Sequence, residues 1–337
     1  MKTEADERNG GVAPRRGMAL KRAMAAFLAL AALASAAGDG TAVREWRAMG
    51  TRARLQARGP DAEAAAGAMA SAARAALEAV ESETSAFRAT SGVARVSAAA
   101  GDGTWIPVGT AFEAALERSL DVAGASGGAF NPLVAPLMEA NGFARGLGGA
   151  GSSDPALRDL AGIERRSGEC RLARAGMALD FGGVAKGLGA DRAAAAARAV
   201  AENDFLLDVG GTLAGRGTWT VGVRDPRGTA DAPPLRVFPL PDGAAAATSG
   251  NYERFVEGDG GARTGHLFDP RTGRPAEGGV LQATALAPTA AEADAWSTAL
   301  FVLGPDAGRA ALARNPRVAA LWILADPTGG VRFASAP

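Results

Sequence analysis

Cysteine occurs once in the 337 residues, at Cys170, and histidine once, at His266. A disulfide needs two thiols and a zinc site of the Cys/His type needs three or four such ligands, so neither can be assembled within the chain. Any metal must be held by oxygen, which favours hard cations such as Mg²⁺ or Ca²⁺. Net charge is missing as well. Thirty-six Lys and Arg balance thirty-six Asp and Glu, which removes the positive field that would draw the chain onto nucleic acid or an anionic membrane surface. Lysine is scarce: Lys2, Lys21 and Lys186 stand against a background of arginine. A GC-rich genome accounts for that bias in general, but the single lysine in the body of the chain, Lys186, calls for its own reason.

What is present is enough apolar sequence to bury a core. Hydrophobic residues make up 47% and charged residues 21%, the profile of one large globular domain or two small lobes. The front of the chain differs. Ala13 to Lys21 is basic, Ala23 to Ala34 is an apolar run, and Ala34-Ser35-Ala36 offers the small residues of a cleavage site, so residues 1–37 read as an export signal. The run is short for a membrane span, which takes about 20 apolar residues; an uncleaved anchor is the alternative. Arg15-Arg16 loosely resembles a twin-arginine signal, and Met18 offers a second start. The remaining 41–337 form the working domain, expected at the periplasm or the outer face of a bacterial cytoplasmic membrane.

Along that domain, Glu45 to Ala57 reads as a strand containing Met49-Gly50-Thr51. Asp61 to Val80 reads as an alanine-rich helix capped by Asp61. Thr110 and Glu113 have capping-box spacing for a second helix that Gly124 stops. Gly142 to Arg174 is glycine- and serine-rich and reads as a surface excursion. In the second half, strands are expected at Met177 to Phe181, Phe205 to Val209 and Trp219 to Arg224. Hairpins are expected around Gly258-Asp259-Gly260-Gly261 and Asp326 to Gly330. The pattern predicts an α+β fold of mixed, largely antiparallel sheets with packed helices, not a doubly wound parallel sheet.

Four segments could carry chemistry. In Leu179-Asp180-Phe181-Gly182-Gly183-Val184-Ala185-Lys186-Gly187, paired glycines lead into a helix with Lys186 on its first turn, a setting for an anionic phosphate. The Walker spacing is absent, and an ordinary turn with a solvated lysine fits the fragment equally well. In Thr289 to Gly304, Thr289 and Glu292 have capping-box spacing, and Asp294 and Thr298 lie four apart on one helical face. A carboxylate and a hydroxyl there could share a hard cation, though such pairs are also common on wet surfaces. Third, His266 and Asp269 fall in Thr264 to Gly273, and His266 is the only imidazole base in the chain. Fourth, Gly128 to Leu137 is an apolar segment able to wall a planar ligand or fill core.

Taken together and in order, the motifs resemble those of the ApbE family, the FAD:protein FMN transferases. The likeness runs through Met49-Gly50-Thr51, Glu83 to Phe87, Ala129 to Pro132, Leu179 to Gly187, Asp208 to Gly211, Ala247 to Arg254, His266 to Gly273 and the helix of Ala287 to Gly304. The resemblance implies that FAD is held by Met49, Phe87, Ala129, Phe130, Asn131, Asp180, Lys186, His266 and Leu267. It implies that Mg²⁺ is held by the Gly183 carbonyl with Asp294 and Thr298. The implied reaction transfers FMN from FAD to a Ser or Thr hydroxyl of an acceptor protein, a membrane or exported redox subunit, and releases AMP. His266, with Asp269 near it, is the candidate base. Asn131 stands where the family commonly has aspartate, and Phe87 where tyrosine is common. Two alternatives remain at this point: hydrolysis of FAD to FMN and AMP at the same site, and a periplasmic flavin-binding protein without turnover.

Overall fold

A computed structural model of the chain describes residues 40–143, 151–228, 232–251, 255–257, 263–276 and 278–337. The export segment, the Gly258 to Gly261 turn and the Tyr252 to Arg254 part of the Ala247 motif lie outside the described residues. Eight strands form the main sheet: β1 (Thr41–Ala48), β2 (Thr51–Arg58), β3 (Asp204–Val209), β4 (Thr212–Arg216), β5 (Ala245–Gly250), β6 (Val280–Ala287), β7 (Ala319–Ala325) and β8 (Val331–Ala336). Their order across the sheet is their order along the chain, and every neighbouring pair is antiparallel. The helices, α1 (Ala62–Thr84), α2 (Gly92–Ala98), α3 (Thr110–Ala125), α4 (Ala135–Ala140), α5 (Ala185–Val200) and α6 (Ala290–Leu312), are inserted between strands. This is the expected α+β class.

Side-chain alternation sets the layers. Phe205, Leu207 and Val209 on β3 join Leu55 of β2 in packing against Met69, Ala73 and Leu77 of α1 and the alanines of α5. Leu206 points to the opposite face, where the hairpin Trp219–Val223 and Arg236–Leu240 covers the sheet with Trp219, Val221 and Phe238. Between the layers runs α6, buried almost all round from Ala290 to Val302. Its many alanines let α5 and α3 approach it closely.

Several local readings need correction. The single strand over Glu45 to Ala57 is a hairpin, because Met49 (φ 51°) and Gly50 (φ 71°) are both left-handed and turn the chain between Ala48 and Thr51, the backbone of a tight two-residue turn. Asp61 is also left-handed (φ 48°) and makes no side-chain cap. Thr110 and Glu113 form no capping box. Gly109 is the N-cap, and the Glu83 carboxylate accepts from Ala111 N at 2.8 Å and Phe112 N at 3.2 Å, doing the capping from another element. Met177 to Phe181 is not a strand, since its amides bond outside any ladder: Leu179 N to Ser97 Oγ at 3.0 Å and Asp180 N to the Pro132 carbonyl at 2.8 Å. Gly304 (φ 68°) kinks α6 before Pro305, and the helix resumes to Leu312. The excursion after Gly142 contains Ile163–Arg166 and Glu169–Leu172, paired to each other, the second strand pairing also with Ile106–Pro107.

The α5–α6 contact positions the site. Asp191 of α5 accepts from Ala290 N at 2.7 Å and Ala291 N at 2.9 Å, capping the start of α6. Burial raises the Asp191 carboxyl above its ordinary value, against the opposing pull of those two amides. One turn earlier, a Cβ on Gly187 would lie 2.3 Å from the Ala290 carbonyl oxygen and 2.6 Å from Ala291 Cα, so only glycine lets the two backbones meet. Gly187→Ala is therefore expected to destabilise the fold by about 1–3 kcal/mol, the usual penalty for overpacking, read as a lower denaturant midpoint at constant slope.

Candidate functional site

The irregular segment ending at Phe181 delivers Gly182 and Gly183 to the start of α5. Asp180 Oδ1 accepts from Gly182 N at 2.7 Å and shapes the turn. Val184 supplies no side-chain cap to α5, and the first amides of that helix find other partners, Ala185 N donating to the Phe181 carbonyl at 2.8 Å. One of them, Gly187 N, donates to Asp294 Oδ2 at 2.9 Å. Lys186 Nζ lies 3.3 Å from Asp294 Oδ1, 3.5 Å from Oδ2 and 3.0 Å from the Gly182 carbonyl. Asp294 is buried, at 4% side-chain exposure, while Lys186 keeps 27% and opens to solvent. Thr212 Oγ1 of β4 reaches Asp294 Oδ1 at 3.5 Å. A buried carboxylate needs this many donors because an unpartnered one would cost several kcal/mol or lose its charge.

Thr298 sits one turn along α6, its hydroxyl 3.4 Å from the Asp294 carbonyl and 3.2 Å from Ser249 Oγ of β5. Gly183 is adjacent: a Cβ there would lie 3.1 Å from Thr298 Oγ1 and 2.9 Å from the Phe130 ring. Gly183, Lys186, Asp294 and Thr298, expected from separate parts of the sequence, are thus brought together, with Asp180 and Phe130 at their margin. The oxygen donors suit a small hard cation that takes one carboxylate and completes its shell from water and phosphate. Among the described residues no cluster of three or more His, Cys, Asp or Glu side chains could hold a metal.

The other expected residues have contacts of their own. Met49 packs over α5, its Sδ 2.7 Å from where a Cβ on Gly189 would stand. Its amide is held at 3.1 Å by Glu81, whose carboxylate also pairs with Arg88 at 3.0 Å. Phe87, beside Arg88, is 74% exposed, the most exposed large hydrophobic residue described. Ala129 and Leu267 are buried. Asn131 has both amide groups engaged: Oδ1 accepts from Leu133 N at 2.8 Å and Nδ2 donates to the Arg158 carbonyl at 2.8 Å. An aspartate could not make the second bond. The buried Arg158 guanidinium in turn donates to the Pro270 carbonyl at 2.9 Å, which ties the Asn131 loop to the turn after His266.

In that turn Asp269 binds Arg271 Nε and Nη2, both at 2.8 Å, and the Arg271 amide at 2.9 Å. Burial alone would raise its carboxyl, but the guanidinium and the turn amides outweigh it and hold the group below its ordinary value. Asp269 therefore has a strong partner in Arg271. The His266 ring lies 6.5 Å from that of Phe143, which meets Phe268 edge-on at 5.6 Å. Sequence reasoning assigned no role to Ser249, Thr212, Glu81 or Asp191. Ser249 fell inside a quoted motif, and only its contact with Thr298 singles it out.

A buried carboxylate, a lysine and two hydroxyls thus meet beside the start of α5, within an antiparallel α+β frame. The chain belongs to the ApbE family, whose model matches residues 49–322. It is 37% identical over 278 residues to the FAD:protein FMN transferase of Treponema pallidum, covering 74% of this chain and 75% of that one. It is 30% identical over 283 residues to one from Klebsiella pneumoniae, covering 78% and 79%. Among solved structures, the flavin transferase ApbE of Vibrio cholerae superposes with a TM-score of 0.73 at 21% identity, over 88% of this chain and 97% of that one. The ApbE protein of Thermotoga maritima gives 0.73 at 27%, over 87% and 97%.

Asn131→Asp tests the tie to Arg158. It replaces a donor 2.8 Å from the Arg158 carbonyl with a second acceptor, and an unfolding titration is expected to show a loss of about 1–3 kcal/mol. No loss would mean that this tie does not stabilise the loop.

Proposed function

We propose that this chain is a FAD:protein FMN transferase that uses Mg²⁺ to move FMN from FAD onto a Ser or Thr hydroxyl of an acceptor protein, releasing AMP. One observation carries the reading: Lys186, Asp294, Thr298 and the Gly183 backbone, drawn from two motifs more than a hundred residues apart, converge at the start of α5. The Lys186 ammonium, on the first turn of α5 and partly open to solvent, is suited to a diphosphate. Gly183, Asp294 and Thr298 would hold the cation, which supplies charge neutralisation at the phosphates and at the departing AMP.

The chain's own residues then have distinct tasks. Phe130 and Met49 wall the flavin side, and Lys186 holds the phosphates in line for attack. The acceptor hydroxyl oxygen forms a bond to the FMN-side phosphorus while the phosphorus–oxygen bond to AMP breaks, and AMP leaves with the bond pair. His266 takes the hydroxyl proton. With Asp269 bound to Arg271, that carboxylate holds the turn carrying His266 rather than relaying the proton. The acceptor in this reading is a membrane or exported redox subunit, and the basic stretch and apolar run before Ala37 support a reaction outside the cytoplasm.

The test is incubation with FAD, Mg²⁺ and an exported acceptor carrying a Ser/Thr flavinylation site, followed by a denaturing gel. Flavin fluorescence is expected to remain with the acceptor band and to disappear with Asp294→Ala. Free FMN and AMP without labelled acceptor would instead assign hydrolysis, and intact FAD would assign binding alone. Lys186→Met is expected to weaken FAD binding roughly ten- to a hundredfold, the scale of a lost charge-assisted hydrogen bond, as read by flavin fluorescence titration.

A further inference from the structure

Beneath the proposed cation ligands lies a chain of hydroxyls, Thr298, Ser249 and Ser297. Ser297 is fully buried, and its hydroxyl donates to the Asp294 carbonyl at 2.8 Å. Either hydroxyl could donate across the 2.7 Å contact between Ser297 and Ser249; with the one Ser297 proton on the Asp294 carbonyl, Ser249 is the donor. The Ser249 oxygen, its own proton committed, can then only accept from Thr298 Oγ1 at 3.2 Å. The competing acceptor for the Thr298 proton, the Asp294 carbonyl, is farther at 3.4 Å. The sequence of donors is Thr298 to Ser249 to Ser297 to the α6 backbone.

That direction has a chemical consequence. A hydroxyl that coordinates a cation turns its lone pairs to the metal and must deliver its proton elsewhere, and groups that receive it orient the ligand and tune its basicity. Ser249 and Thr298 are both half-buried, at the edge of the site, whereas Ser297 beneath them is closed to solvent. We propose that Ser249 is a positioning residue for the cation: it accepts the Thr298 proton and so turns the Thr298 oxygen lone pairs toward the ion held with Asp294 and Gly183. This rests on the reading of those three residues as the cation's ligands. Ser249 itself touches neither cation nor substrate in this role.

The experiment counts Mn²⁺, as a spectroscopic stand-in for Mg²⁺, bound to the full chain without flavin, from the loss of the free-ion electron paramagnetic signal. Ser249→Ala, which removes the acceptor, is expected to weaken binding ten- to a hundredfold, the range for lost outer-shell partners of a metal. Ser249→Thr, which keeps the hydroxyl, is expected to remain near wild type. If the alanine variant does not fold, Ser249→Cys, a weaker acceptor of similar size, is expected to weaken binding in the same direction. Wild-type affinity in Ser249→Ala or Ser249→Cys would overturn the proposal while leaving the ligand assignment standing. Binding that survives Asp294→Ala unchanged would instead overturn the ligand assignment, and the role of Ser249 with it.

Discussion

The carboxylate of Asp294 is withdrawn from water on a helix that is otherwise among the most apolar elements of the chain, and much of the local architecture answers its need for partners. It receives the Lys186 ammonium, the Gly187 amide and the Thr212 hydroxyl, two from α5 and one from β4. Those donors reach it only because Gly187 has no side chain to hold the two helices apart and because Asp191 locks the start of α6 onto α5. Removing one partner from a buried ion pair typically costs about 3–5 kcal/mol. The pair thus couples the integrity of the fold to the geometry of the site. In the proposed function the same carboxylate is the first ligand of the cation.

The frame around it divides the work. The meandering sheet and its covering hairpin form a rigid floor, while the functional side chains arrive on insertions. The long insertion between β2 and β3 carries the Phe87, Ala129–Asn131 and Lys186 segments. The one between β5 and β6 carries His266 and Asp269. These insertions are not left independent. Arg158 and Asn131 tie one to the other, and Glu81 holds the Met49 turn against α1. Each tie uses a buried or half-buried polar group on a backbone atom, a geometry that fixes a loop more tightly than apolar contact alone.

Long-range convergence was legible in the sequence only through the ordered motifs. Asp294 and Thr298 at helical spacing, or Lys186 behind two glycines, are each common arrangements. Their meeting depends on a contact over 108 residues of separation, which no local pattern encodes. The antiparallel α+β class and the Asp326 to Gly330 hairpin were readable because alternation and turn glycines are local. The errors share a cause: caps and strands were inferred from neighbours in sequence, whereas Glu83 caps α3 from outside it and Ser97 and Pro132 take the amides expected in a ladder. The Met49 turn was missed because a left-handed methionine is disfavoured, and here Glu81 holds its amide. Ser249 was invisible for a further reason, since its significance lies in a proton direction that appears only with three hydroxyls in place.

The most direct measurement is phosphorus NMR of FAD bound to the chain with Mn²⁺ in place of Mg²⁺. Both pyrophosphate resonances are expected to broaden strongly in the wild type and to recover with Asp294→Ala, because the ion and the diphosphate share the start of α5. Bound FAD whose phosphorus signals stay sharp with Mn²⁺ at the protein, or broaden equally without the Asp294 carboxylate, would contradict the convergence of cation and phosphate at this site.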